Sequence, residues 1–236
     1  MKIVNWNCGG WSNGGFNINK YNEMKCYRPD ILLIQEITRK EFDIVSLAIK
    51  EEREKLIHLF QNDKETKYLN LDNRIFDDWY GDDIEESNKG LAIFSVSCTY
   101  NIELVENFKN EFRYVVPYRI KFINSYSNEV NDFILLSIWT KPPNYQKTIF
   151  DALEYYNFKE PIILAGDFNT GSNKNNMDRY EELKNQLERY DLKNCAKTRN
   201  MNMNQHFTMI EQTIILQMIS VSFLKILMFM NFLSIK

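Results

Sequence analysis

The sequence predicts a layered α/β fold, and three observations support this. Short apolar runs typical of buried strands alternate with longer segments that have a helical pattern. Several runs are continuously apolar, which indicates strands covered on both faces. No linker-like composition occurs before residue 200, and the 236 residues are 44% hydrophobic and 26% charged. We therefore expect one domain with a sizeable core rather than two small ones.

Each element follows from its local pattern. Apolar runs bounded by turn residues predict strands at 2–6, 31–34, 91–96, 115–123, 133–140 and 162–165. Segments rich in helix formers predict helices at 17–28, 40–61, 146–157 and 176–190. The acidic stretch 77-DDWYGDDIEESNKG-90 predicts a solvated loop.

Composition excludes several classes of protein. The net charge of −3 and the pI of about 5.6 give no bulk basic field that would attract nucleic acid. The four cysteines are far apart and form no CxxC pair, which argues against a disulfide scaffold and a structural zinc site. The first ten residues are too poor in apolar side chains for a signal peptide. We expect a cytoplasmic monomer without a membrane partner.

Polar residues follow three of the predicted strands at the point where each strand ends. Asn7 follows 3-IVNW-6, Glu36 follows 31-ILLIQ-35, and Asp167 and Asn169 follow 162-IILA-165. Each residue alone is explained by a turn, a helix start or a solvent-facing position. Together they favour a ligand site, because strand ends are where layered α/β folds bind ligands.

These residue types suit phosphate chemistry with a hard cation. Mg²⁺ takes oxygen ligands and is commonly held by one or two carboxylates together with substrate phosphate. A second carboxylate can orient a water molecule for attack, and an amide N–H can donate to a phosphate oxygen where charge develops.

Five segments, in this order, resemble the endonuclease/exonuclease/phosphatase superfamily, which includes exonuclease III-like nucleases and DNase I. They are 3-IVNWNCGG-10, 29-PDILLIQEI-37, 90-GLAIFS-95, 135-LLSIWTKPP-143 and 162-IILAGDFNTGS-172. The resemblance covers about residues 1–195. It implies a four-layered α/β sandwich of two packed mixed sheets flanked by helices. It also implies hydrolysis of phosphodiesters or phosphomonoesters with Mg²⁺ or Mn²⁺.

The resemblance implies a role for each matching residue. Glu36 is the expected metal-binding carboxylate, and Asn7 is expected to arrange the metal shell or a catalytic partner. Asp167 is expected to orient or activate the attacking water, and Asn169 to hold the scissile phosphate. Trp139 and Thr140 lie in a segment that borders the cleft in similar bacterial members, although such residues are more commonly packing residues.

The chain departs from the family pattern at two places. Gly9 stands where many family nucleases carry an acid two residues after the first Asn. The SDH motif that ends the family domain is absent, and the two histidines, His58 and His206, have no Ser-Asp before them. We therefore expect weak activity, or none, from this polypeptide, since loss of a general base or its partner lowers a rate by about 10²–10⁴-fold.

The composition changes abruptly near the C-terminus. We assign residues 1–207 to the domain, incomplete at its end, and residues 208–236 to an apolar tail. The tail is explained by translation out of frame, by a buried terminal strand or helix, or by a membrane anchor. AT-rich codons for 207–223, read in another frame, give an Asn-rich peptide containing DDFCF, which is similar to a family strand. Lys225 near the middle opposes the anchor.

The sequence thus predicts a metal-dependent phosphoesterase, most simply a nuclease or phosphodiesterase. Its expected partner is nucleic acid or another phosphodiester or phosphomonoester. A non-catalytic phosphate- or nucleic-acid-binding module on the same fold and a membrane-tethered member are the alternatives.

Overall fold

A computed structural model describes residues 1–8, 18–60, 77–81, 89–97, 100–123, 130–141, 146–169, 174–194 and 212–217. These residues form four α-helices and ten strands. The helices are α1 (Ile18–Cys26), α2 (Arg39–Phe60), α3 (Lys147–Tyr156) and α4 (Lys174–Glu188). The strands are β1 (Ile3–Asn7), β2 (Ile31–Thr38), β3 (Asp77–Gly81), β4 (Lys89–Ser95), β5 (Tyr100–Leu104), β6 (Val115–Ile123), β7 (Val130–Trp139), β8 (Ile162–Asp167), β9 (Leu192–Asn194) and β10 (Gln212–Gln217).

The strands form two mixed sheets. The N-terminal sheet has the order β1-β2-β4-β3, and the C-terminal sheet has the order β5-β6-β7-β8-β10-β9. Each sheet contains one parallel pair, β1 with β2 and β7 with β8, among antiparallel neighbours. The candidate site residues predicted from the sequence lie at or near the C-terminal ends of strands in these two parallel pairs.

Side chains on one face of each sheet are buried between the two sheets, and those on the other face are buried under helices. Along β2, Leu33 lies in an apolar cluster that contains side chains of both sheets, whereas Leu32 and Ile34 pack with α1 and α2. Along β7, Leu135 lies in the same cluster between the sheets, whereas Leu136 packs with α3 and α4. The layers are therefore helix, sheet, sheet and helix, which confirms the four-layered α/β sandwich.

The sequence predicted the central strands better than the edges. The strand predicted at 115–123 is β6, with the same bounds. The solvated loop predicted from residue 77 is wrong for residues 77–81, which form β3, an edge strand paired with β4. The indole N–H of Trp79 in this strand donates to the carbonyl oxygen of Ile37 at 3.0 Å. β5 and β9 were also not predicted, because short or partly exposed strands lack a clear apolar run.

Part of the predicted apolar tail lies in a sheet. Residues 212–217 form β10, which pairs antiparallel with both β8 and β9. Residues 208–211 and 218–236 lie outside the described residues, and the domain boundary at residue 207 stays a prediction. Among the helices that the structure describes, none has both the length and the apolar character needed to cross a lipid bilayer.

Gly166 lets β8 approach β7 closely just before the strand ends. Its φ of +152° lies in a region that favours glycine. A Cβ atom at this position would collide with the backbone of Ile138, its partner in the parallel pair. The next pair in the register is Trp139 with Asp167, so this contact positions the acid at the end of β8.

We expect Gly166→Ala to lower the free energy of unfolding by at least about 2 kcal/mol, because both the φ angle and the clash oppose a side chain. Urea denaturation followed by circular dichroism measures this. Ser137→Ala on the neighbouring strand is the control, since its buried hydroxyl has no hydrogen-bond partner among the described residues and its removal should be nearly neutral. Equal stability of the two variants would contradict the close approach.

Candidate active site

Three of the predicted site residues meet at one rim of the two sheets. Asn7 is the last residue of β1, and its side-chain amide donates to Asp167 Oδ2 at 2.6 Å and to Glu36 Oε1 at 3.1 Å. Glu36 belongs to the same sheet as Asn7, whereas Asp167 ends β8 in the other sheet. One buried amide therefore links two carboxylates across the interface between the sheets.

A β-bulge directs Glu36 toward this rim. The register of β2 against β4 shifts between Gln35 and Ile37, which leaves Glu36 as the extra residue with a φ of 61°. Gln35 is buried and donates to Asn5 Oδ1 at 2.6 Å, while Ile37 returns to the cluster under the helices. The bulge thus keeps both neighbours buried and leaves Glu36 partly exposed.

A tight turn after β8 holds the Asp167 carboxylate. The backbone N–H of Asn169 donates to Asp167 Oδ1 at 2.8 Å, and Asn169 adopts the left-handed conformation with a φ of 48°. The Asn169 side chain donates to the carbonyl oxygen of Thr140 at 2.7 Å, and the Thr140 N–H donates to the Asp167 carbonyl oxygen at 2.9 Å. The turn and the end of β7 therefore stabilise each other.

Burial raises the pKa of Asp167, which is 1% exposed. Hydrogen bonds from Asn169 and Asn7 lower the pKa, and the negative charge of Glu36 raises it. Desolvation is the largest of these effects, so the pKa of the carboxyl lies above its usual value of 3.8.

Two lysines that the sequence did not single out flank these residues. Lys89 Nζ lies 2.9 Å from Glu36 Oε2. Lys141 Nζ lies 3.8 Å from the ring centroid of Trp139 and 3.3 Å from the hydroxyl of Tyr114. Lys89 was missed because it lies at the end of a stretch predicted to be a loop. No local sequence pattern marks Lys89, because its place beside Glu36 depends on the register of β4 against the end of β2.

The other predicted residues contribute less directly. Asn169 contacts Asp167 through its backbone N–H, and Trp139 is buried. Thr140 contacts the turn through its backbone groups and through its hydroxyl, which donates to the Asp167 carbonyl oxygen at 3.5 Å. His58 lies in α2, and Gly9 and His206 lie outside the described residues.

The polar side chains at the rim are carboxylates, amides and the ammonium groups of two lysines, and only the oxygen atoms among them are possible metal ligands. In the described part of the chain, no group of three or more His, Cys, Asp or Glu residues is placed to hold a metal ion. The carboxylates of Glu36 and Asp167 are the oxygen ligands available for a hard cation, whereas Asn7 turns its amide N–H groups toward both of them.

We expect the stability of Asp167→Asn relative to the wild type to rise by about 1 kcal/mol between acidic and neutral pH, because the amide removes a buried charge. The amide has a single oxygen and can replace only one of the two carboxylate oxygens that accept from Asn7 and Asn169, so the variant loses one of these hydrogen bonds at every pH. The raised pKa means that ionised Asp167 destabilises the folded state above that pKa. The gain should therefore be largest at neutral pH and disappear as the pH falls toward 3.8.

Urea denaturation of both proteins between pH 4 and pH 8 measures this difference. Asp132→Asn is the control, since Asp132 lies near the start of β7 and pairs with Arg119 at 2.6 Å. A difference in stability between Asp167→Asn and the wild type that stays the same from pH 4 to pH 8 would contradict the prediction.

Comparisons with known proteins identify the fold. No protein-family model matches the chain, and no curated protein matches its sequence. An endonuclease/exonuclease/phosphatase family protein from Bacteroides thetaiotaomicron is similar in structure, with 13% identity and a TM-score of 0.51 over 91% of this chain and 82% of that one. The endonuclease domain of TRAS1, a telomere-specific non-LTR retrotransposon, is similar with 12% identity and a TM-score of 0.50 over 91% of this chain and 84% of that one. The chain therefore shares the DNase I-like α/β fold of these two structures.

Proposed function

We propose that this chain is a divalent-metal-dependent phosphoesterase that hydrolyses its substrate by attack of water. The observation that carries the proposal is the contact of one Asn7 amide with both Glu36 and Asp167 at a shared rim of the two sheets. The fold supports it, since one of the similar structures is an endonuclease domain.

The residues at the rim fit Mg²⁺ or Mn²⁺. One or two protein carboxylates with additional oxygen donors are typical of Mg²⁺ sites. The charge of Glu36 raises the pKa of Asp167, so the pair carries an electrostatic repulsion that a cation would relieve. Glu36, which is 23% exposed, would hold the ion with support from Asn7. When bound, such an ion polarises the phosphoryl oxygen and neutralises developing charge.

Asp167 is the proposed general base. Its carboxylate would accept a proton from the attacking water, and the hydrogen bonds from Asn7 and Asn169 would fix its orientation. Burial raises its pKa, which increases its basicity relative to an exposed aspartate. Because the base must be ionised, the rate should fall as the pH drops through this raised pKa.

Asn169 is the proposed phosphate-binding residue. Its side-chain nitrogen carries two N–H donors. One donates to the Thr140 carbonyl oxygen and fixes the amide beside Asp167. The other can donate to a phosphate oxygen, where negative charge increases during attack.

A phosphodiester is the preferred substrate class, with nucleic acid as its main representative. The similarity to an endonuclease domain favours a diester over a monoester. Two lysines, Lys89 and Lys141, place ammonium groups near the rim, where they offset the negative charges of Glu36 and Asp167 toward an anionic substrate.

We propose that turnover is slow, because the sequence contains no SDH motif. The same observation supports a second candidate function, a module that binds phosphorylated ligands without hydrolysing them. The two proposals differ in one measurable property, which is turnover.

We expect slow hydrolysis of bis(4-nitrophenyl) phosphate that requires Mg²⁺ or Mn²⁺ and stops when EDTA is added. Asp167→Ala should reduce the rate by about 10²-fold or more, to background, because it removes the base. Absorbance of the released nitrophenolate measures the rate, and 4-nitrophenyl phosphate tests the monoester class.

Asp132→Ala is the matched control. It also removes an aspartate carboxylate from a strand of the same sheet, but Asp132 lies in β7 seven residues before Trp139, which is at the rim. Hydrolysis that persists in Asp167→Ala would refute the proposed base. Binding of phosphate esters to the wild type without any hydrolysis would establish the second candidate instead.

A further inference from the structure

Lys89 forms an ion pair with the proposed metal ligand. It is the first residue of β4 and pairs in the register with Thr38, which follows Glu36 by two residues along β2. Its Nζ is 2.9 Å from Glu36 Oε2. Lys89 is 39% exposed and Glu36 is 23% exposed, so the pair lies at the mouth of the site.

Both carboxylate oxygens of Glu36 therefore have protein donors. Oε1 accepts from the Asn7 amide at 3.1 Å, and Oε2 accepts from Lys89. A divalent cation that used Glu36 as a ligand would meet a positive charge bonded to the same carboxylate. Like charges a few ångströms apart repel strongly where solvent screening is incomplete.

The two donors differ in how easily they can be displaced. Asn7 is buried and also bonded to Asp167, so its amide is restrained against displacement from Glu36. Lys89 has a flexible four-carbon stem, and its ammonium reaches solvent by rotation. Lys89 is thus the donor that a cation would replace.

We propose that Lys89 is a displaceable counter-ion that competes with the divalent cation for Glu36 and thereby sets the metal concentration that the site requires. This inference rests on the proposed function, because it takes Glu36 as the metal ligand. Lys89 acts through Glu36 and is therefore a positioning residue.

Binding of Mn²⁺ to the full chain tests this inference, with free Mn²⁺ counted by electron paramagnetic resonance. Lys89→Met removes the competing charge and should lower the Kd for Mn²⁺ about tenfold. Lys89→Gln, which keeps a donor without the charge, should shift the Kd in the same direction. Lys89→Arg keeps the charge and should bind as the wild type does.

Lys121→Met is the matched control. Lys121 is also 39% exposed and pairs with a glutamate, Glu103, at 2.6 Å, but it lies at the end of β6 away from the rim. Its loss changes net charge equally and should leave the Kd within about twofold of the wild type. Circular dichroism of each variant checks that it is folded.

The outcomes separate this inference from the proposed function. If Glu36→Gln abolishes Mn²⁺ binding but Lys89→Met and Lys89→Gln bind no more tightly than the wild type, the role of Lys89 is refuted and the metal site stands. If neither the wild type nor the Lys89 variants bind Mn²⁺, both proposals fail. Tighter binding in Lys121→Met equal to that in Lys89→Met would also refute a specific role for Lys89.

Discussion

The apolar layer between the two sheets is the constraint on which the candidate site depends. Asn7 and Glu36 belong to one sheet and Asp167 to the other, so their contact exists only while the sheets keep their relative position. Leu33 and Leu135, from opposite sheets, are buried together in that layer. Because protein interiors are close-packed, even a small shift of one sheet would break the amide bridge.

The rim concentrates features that oppose stability. It holds a buried aspartate with a raised pKa and two residues, Glu36 and Asn169, with positive φ angles. Residues in such conformations persist only where the surrounding structure fixes them, and they cluster at functional sites. Here the bulge in β2 and the turn after β8 supply that fixation, so the local strain and the proposed chemistry share the same few residues.

Strands that are buried were predicted correctly from the sequence, and strands that are partly exposed were missed. The centres of β2 and β8 were predicted because continuous apolar runs indicate strands covered on both faces, and β6 was predicted from a stretch in which apolar residues partly alternate with polar ones. β3 was missed because its five residues are all partly exposed and two of them are acidic. The positions of Asn7, Glu36 and Asp167 could be predicted as strand ends, but the ion pair of Lys89 with Glu36 depends on the register between β2 and β4, which local patterns do not encode.

The sequence by itself determined the positions of the central strands along the chain, the layered α/β class and the polar residues at the strand ends. These follow from local composition, because an apolar run needs only its own residues to show that it is buried. The tertiary structure decided which side chains meet. Asn7 and Asp167 are 160 residues apart, and their contact is set by the packing of two sheets and by the glycine that lets β8 lie against β7.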